Sequence, residues 1–231
     1  MRLLVTRLNA LEANDRGDHC LNIGCGTTAG EGWINIDASF SLRLSKIPGV
    51  RTLAPKYLHV QWPSNVMYGD IVKGLKVQEG SIRLIFASHI LEHLSKEDFH
   101  SAISNIYKYV AIKGYFRCIV PDLELMAEEY LNRLSSKDYE LCTSANTYFL
   151  TNSHLGFFKT RMSFLARIKE VLSNARHQWM WDRYSLSRAL KDHGFREVKF
   201  CVYGEWADER FGEVEDSGRH KDSICIEARK M

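Results

Sequence analysis

Two glycines and one acid carry the first chemistry in this 231-residue chain. Residues 20–37 run Cys-Leu-Asn-Ile-Gly-Cys-Gly-Thr-Thr-Ala-Gly-Glu-Gly-Trp-Ile-Asn-Ile-Asp. An apolar run, Cys20 to Ile23, meets Gly24 and Gly26; a second, Trp33 to Ile36, ends at Asp37. The pattern reads strand, tight turn, strand, carboxylate. Glycine takes positive φ and lets a ligand approach the backbone closely. A carboxylate at the end of the second strand can accept hydrogen bonds from both hydroxyls of a ribose. Ordinary turns also produce Gly-x-Gly after an apolar run. Joined to the acid, it points to a nucleoside-containing cofactor at the carboxyl ends of a parallel sheet.

Other groups could move protons. His89 and His93 bracket the end of the apolar run 82–88. His89 reads either as a general base or as a backbone contact to a cofactor, and His93 as a helix-start residue bonded to main chain. Glu92 reads as a helix-start acid favoured by the dipole or as a functional acid. Asp122 follows Pro121 at the end of another apolar run, where sites on open α/β sheets form, and competes with a helix-capping role there. His154 and His177 sit in residues 137–180 among Tyr148, Phe149, Phe157, Phe158, Trp179 and Trp181. Such aromatics suit a sugar or apolar acceptor, or a satellite core. Arg161, Arg167, Lys169 and Arg176 read either as a basic tract that could meet an anionic or nucleotide-linked acceptor or, more simply, as a solvated helix face.

The elements that must position these groups alternate. Leu3, Leu4, Leu8 and Leu11 have helical spacing over 2–14. Strands are expected at 19–23, 33–37, 66–68, 82–88, 115–120, 198–203 and 223–228. Helices are expected at 96–111, with Ser95 as N-cap, at 123–134, and at 185–193 with Ser185 as N-cap and Gly194 beyond its end. Lys113-Gly114 reads as a turn, residues 38–64 as a long loop with fragments of structure, and 137–180 as the least regular stretch. Of the eleven residues from Gly26 to Asp37 the second strand uses about four or five, and the rest leave no room for a crossover connection with its helix, which normally needs at least about 10–12 residues. That removes the helix dipole usually aimed at a phosphate and argues against a dinucleotide. The class is α/β with a mostly parallel sheet. Residues 204–222 hold no clear helix, so the last two strands should pair antiparallel.

Composition bounds the rest. Hydrophobic content of 45% and charged content of 26% are those of a globular domain. A net charge of +3 is too mild to argue for nucleic acid. No apolar run approaches the roughly 20 residues that span a bilayer. Arg7 breaks the N-terminal apolar run, which argues against a signal peptide. Six cysteines without a Cys-x-x-Cys pair predict buried thiols, no metal site and a reducing, cytoplasmic setting.

With these landmarks placed, the chain resembles the class I S-adenosylmethionine-dependent methyltransferases, and more narrowly the type-11-like enzymes of surface-polysaccharide biosynthesis. The stretches that carry the resemblance are LNIGCG (21–26), WINIDAS (33–39), YGDI (68–71), IRLIFASHILEHL (82–94), IKGYFRCIVPDL (112–123) and HQWMWDRYSLSRALKDHGF (177–195). It implies a Rossmann-like, seven-stranded sheet with an antiparallel last strand, in a single domain over 1–231 with 137–180 covering the acceptor. It implies S-adenosyl-L-methionine as cofactor. Asn22, Gly24, Cys25 and Gly26 would line its methionine end, Asp37 would hold the ribose, Asp70 and Ile71 would flank the adenine, and Ser88 and His89 would sit beside the sulfonium. Asn22 and Thr28 depart from the acid and third glycine common in the family motif. His177, His89 and Asp122 are the candidate catalytic residues, His177 foremost because a family-like helix follows it. The reaction implied is methyl transfer to a small-molecule or glycan acceptor, at a hydroxyl. A non-catalytic binding module of the same fold is the alternative, and a nicotinamide-dependent oxidoreductase is disfavoured by the short first connection.

Overall fold

The chain is described here as a computed structural model, and the structure describes residues 18–47, 61–156 and 176–231. The helix expected over 2–14, the prolines at 48 and 55, and Phe157, Phe158, Arg161, Arg167 and Lys169 lie outside those residues.

Seven strands form one sheet: β1 His19–Ile23, β2 Ile34–Asp37, β3 Val66–Tyr68, β4 Ile82–Ser88, β5 Val110–Pro121, β6 Arg196–Phe200 and β7 Ser223–Arg229. Their order is β3-β2-β1-β4-β5-β7-β6. β1 to β5 pair parallel with one another, whereas β7 runs antiparallel between β5 and β6. This is the Rossmann-like, class I methyltransferase fold. The chain builds outward from β1 to β3, then returns to lay β4 on the other side of β1. Between β1 and β4 the winding reverses, and ligands of open α/β sheets bind outside the carboxyl ends of strands at such a point.

Among the described residues five helices flank the sheet: α1 Phe40–Ser45, α2 Lys96–Tyr109, α3 Leu123–Leu134, α4 Tyr139–Asn152 and α5 Arg183–Asp192. α2 buries Phe99, Ala102, Ile103, Ile106 and Tyr109 on one face. Each large apolar side chain buried there contributes roughly 1.5–3 kcal/mol. Ser95 caps α2 through the Asp98 N–H at 3.1 Å. The main core joins this face to Ile85, Phe116, Leu186 and Phe195.

The β1–β2 connection, residues 24–33, is fully described and holds turns but no helix. Two buried amides brace it instead. Asn22 Nδ2 donates to Thr28 O (2.9 Å) and Asn35 Oδ1 (3.2 Å), and Asn35 Nδ2 donates to Gly30 O (2.8 Å) and Trp33 O (2.9 Å). The side chains do the work of the missing helix by satisfying loop carbonyls that face away from water.

Four expectations are corrected. Lys113-Gly114 lies inside β5, not between elements: Lys113 takes φ +63° and the β4–β5 register shifts beside it. An added Cβ at Gly114 would stand 2.7 Å from Arg83 O, so the bulge needs glycine there. Residues 139–152, placed in the irregular stretch, form α4, with Asp138 capping Glu140 N. Its apolar residues spread around the helix, which hides the periodicity. α5 begins earlier than expected: Asp182 is its N-cap, and Ser185 sits at the third position, closing a capping box with it. β6 begins and ends earlier than expected, at Arg196 and Phe200. Gly194, at φ +101°, follows α5 as expected.

Candidate active site

The carboxyl ends of the first four strands enclose a cavity of about 370 Å³, within the range of small-molecule sites. Of the sequence candidates, Gly24, Asp37, Asp70, Ile71, Ser88 and His89 line it. Gly24 and Gly26 take φ +62° and +54°. A Cβ on Gly24 would lie 2.1 Å from Ile90 Cγ2, so this close crossing of the β1 and β4 ends requires glycine. Nothing lies within 4 Å of the Cβ position of Gly26, which leaves its backbone open to approach.

Asp37 is fixed by the glycine turn. Its Oδ2 accepts from Gly26 N at 3.1 Å and its Oδ1 from Ser39 N at 2.8 Å. Asp70 accepts from Val72 N at 3.1 Å and pairs with Lys73 at 2.9 Å. Asn22 and Cys25 do not line the cavity with their side chains. Asn22 braces the loop, and Cys25 packs with Leu42 and Val66, where burial pushes its thiol up to about 12. The six cysteines are free thiols and five are buried.

A second cavity of about 450 Å³ adjoins the first, and His89 lines both. α3 supplies Glu128, Glu129 and Asn132 to it, α4 supplies Tyr148 and Asn152, and His154, His177, Lys221 and Asp222 complete the wall. His89 itself has φ +53°, unusual for a residue other than glycine and a mark of local constraint.

Three histidines gather at this junction around Glu92. A tight 3-10 turn, Leu91–His93, follows β4, and residues 176–179 lie along it. Gln178 N donates to Glu92 O (2.7 Å), His93 Nδ1 donates to Arg176 O (2.9 Å), and Gln178 Nε2 donates to His93 O (2.7 Å). These bonds bring together residues 83 to 86 positions apart. The buried Glu92 carboxylate faces His89 Nδ1 at 3.3 Å and His177 Nε2 at 3.9 Å. Sequence reasoning left Glu92 ambiguous, because its burial depends on that distant segment.

The two histidines on Glu92 are tuned apart. Burial lowers the His89 pKa, but Glu92 and the Arg219 carbonyl, which accepts from Nε2 at 2.9 Å, outweigh it and leave the pKa raised above 6.5. Burial lowers His177 to about 4; Glu92 opposes this, and His93 and His154 add to it. The His93 and His154 rings stand 5.0 and 4.8 Å from the His177 ring. Glu92, His93 and His177 hold donor atoms within 4.8 Å of one another, a spacing open to a divalent ion.

A folded-state pKa depressed from 6.5 to about 4 means that the neutral His177 stabilises the fold above pH 6.5. That contribution falls away as the pH drops from 6.5 to about 4. Urea unfolding across this window should show a steeper loss of stability in the wild type than in His177→Gln; parallel slopes would contradict the assignment.

Asp122 takes the capping position that its sequence context also allows. It is buried, caps α3 through Glu124 N at 2.9 Å, faces Arg183 Nε at 3.4 Å, and lines neither cavity.

No family model and no curated protein match the chain. Among solved structures it is similar to a SAM-dependent methyltransferase from Thermotoga maritima, with 16% identity over 99% of this chain and 89% of that one and a TM-score of 0.46. It is also similar to a SAM-dependent methyltransferase from Archaeoglobus fulgidus (16% identity, 99% and 94% covered, TM-score 0.44) and to PigF with SAH (14%, 96% and 53%, 0.45). The chain spans about half the length of PigF. Likeness this distant does not transfer an activity. Among the described residues, no helix is long and apolar enough to cross a membrane.

Proposed function

We propose that the protein is an S-adenosylmethionine-dependent methyltransferase. The observation that carries this reading is the pair of adjoining cavities at the strand ends with His89 as their shared wall. The first holds the cofactor: Asp37 takes the ribose hydroxyls, Asp70 and Ile71 flank the adenine, and Gly24 and Ser88 border the methionine end. Asn22, Cys25 and Gly26 act from behind, by shaping the turn that orients Asp37. The second cavity holds the acceptor, a small molecule or glycan presenting a hydroxyl, with α3, α4 and His154 as its cover.

The bound cofactor supplies the electrophilic methyl group. The protein holds the acceptor oxygen in line with it and accepts the proton. His177 is the base: it is neutral at pH 7, lines the acceptor cavity, and has Glu92 beside it to stabilise the imidazolium it becomes. His89 is less suited to that task, because its ring nitrogens face Glu92 and the Arg219 carbonyl and its raised pKa favours the charged form. It separates the cavities and holds their common edge in place. Placement in surface-polysaccharide biosynthesis rests on the resemblance of the sequence alone. A cytoplasmic location is consistent with the free thiols.

Asp37→Ala tests the cofactor assignment. Losing hydrogen bonds to a charged group should weaken S-adenosylhomocysteine binding by roughly 1–3 kcal/mol in a calorimetric titration. Unchanged affinity would remove Asp37 from the ribose.

A further inference from the structure

Arg219 has an anchored backbone and an unanchored charge. It stands on the short turn Ser217–His220 within the β6–β7 connection. Before it, Asp216 accepts from Gly218 N at 2.9 Å, and the buried Glu215 pairs with Arg117 at 2.8 Å. After it, His220 Nε2 bonds to Glu215 at 3.0 Å. Its own carbonyl accepts from His89 at 2.9 Å. Arg219 lines the first cavity, and its guanidinium makes no hydrogen bond or ion pair among the described residues.

Of the other donors near that end of the cavity, the Ser88 hydroxyl has no partner among the described residues, whereas the amides of Cys25, Gly26 and Thr28 and the His89 ring are engaged. Cys25 N donates to Ile36 O, Gly26 N to Asp37 Oδ2 and Thr28 N to Cys25 O, so these amides of the glycine turn are not free for an anion. His89 directs its nitrogens to Glu92 and the Arg219 carbonyl. The two carboxylates that line the cavity, Asp37 and Asp70, follow β2 and β3; Arg219 lies by His89, beyond β4. A ligand whose ribose is on Asp37 extends its other end toward β1 and β4.

We propose that Arg219 is the binding residue for the α-carboxylate at the amino-acid end of the cofactor. A guanidinium forks onto a carboxylate through two parallel N–H···O bonds, which an ammonium cannot reproduce. The inference rests on the reading of this cavity as the cofactor site. It makes the β6–β7 connection, 130 residues from His89, part of that site.

The test compares two ligands that share the adenosine and the thioether. S-adenosylhomocysteine carries the carboxylate; 5′-methylthioadenosine lacks the amino-acid end. By calorimetry, Arg219→Gln should weaken S-adenosylhomocysteine roughly 10- to 100-fold, the range for hydrogen bonds between charged groups, and leave 5′-methylthioadenosine unchanged. Arg219→Lys should recover only part of the loss. The side chain is exposed and unpaired among the described residues, so the variants should unfold at the wild-type denaturant midpoint. Unchanged S-adenosylhomocysteine affinity in Arg219→Gln, or an equal loss for both ligands, would overturn the carboxylate role while the cofactor reading stood. A wild-type protein that binds neither ligand would overturn that reading and this inference with it.

Discussion

Arg117→Met is expected to destabilise the protein by about 3–5 kcal/mol, the cost of leaving buried charges without their partner. Arg117 is wholly buried on β5. Its Nε donates to Glu215 at 2.8 Å and its Nη1 lies 3.4 Å from Glu227, both also buried. It donates further to the carbonyls of Glu205 (2.9 Å) and Val202 (3.2 Å). Trp206 Nε1 and His220 Nε2 reach the same Glu215 carboxylate. One guanidinium thus pins the β6–β7 connection to the centre of the sheet. The connection in turn carries Arg219 to the first cavity and Lys221 and Asp222 to the second. Urea unfolding should show the loss, and S-adenosylhomocysteine affinity should fall with it as the connection loosens. Adding Glu215→Gln should restore part of the stability, because one of the two stranded charges is then removed. A midpoint equal to the wild type would show that the network is not what holds this segment.

His177→Gln should lower turnover by roughly 10²–10⁴-fold, the usual contribution of a general base, while S-adenosylhomocysteine affinity stays at the wild-type value. The pH profile separates a proton acceptor from a packing residue. With its pKa lowered to about 4, His177 places the acid limb of wild-type kcat/KM below the ordinary histidine range. The limb should vanish in His177→Gln, and only a flat residual rate should remain. Full activity in the variant, or a residual rate with the same acid limb, would return His177 to a structural role beside His93 and His154.

The sheet was readable in the sequence because its strands are short apolar runs bounded by turn residues. Ile82–Ser88 and the Gly24–Asp37 pair needed no distant information. The missing first crossover followed from counting residues. The braces that replace it did not: Asn22 and Asn35 are separated by 13 residues, and only the parallel register of β1 and β2 puts their amides 3.2 Å apart. α4 escaped detection because apolar residues on all sides blur the helical period. Ser185 was mistaken for the cap of α5 because it is part of the capping box, and Asp182 three residues earlier holds the cap itself.

The first-cavity candidates were local in sequence, each at the end of its own strand. The second cavity was not. His177 was singled out, but its partner Glu92 becomes a buried neighbour only when residues 176–179 lie on the turn after β4. Arg219 gave no signal at all, since no motif marks an arginine whose position depends on a buried network rooted in β5. Asp122 shows the opposite case, a residue whose two sequence readings share one position. An acid at a carboxyl strand end is also the natural N-cap of the helix that follows, and here the cap accounts for it.

The measurement that tests the central claim most directly is a calorimetric titration of the purified protein with S-adenosylmethionine, S-adenosylhomocysteine and NAD. The account predicts that both adenosyl ligands bind, with dissociation constants on the order of micromolar, and that NAD does not. Binding of NAD in their place, or of none of the three, would contradict it.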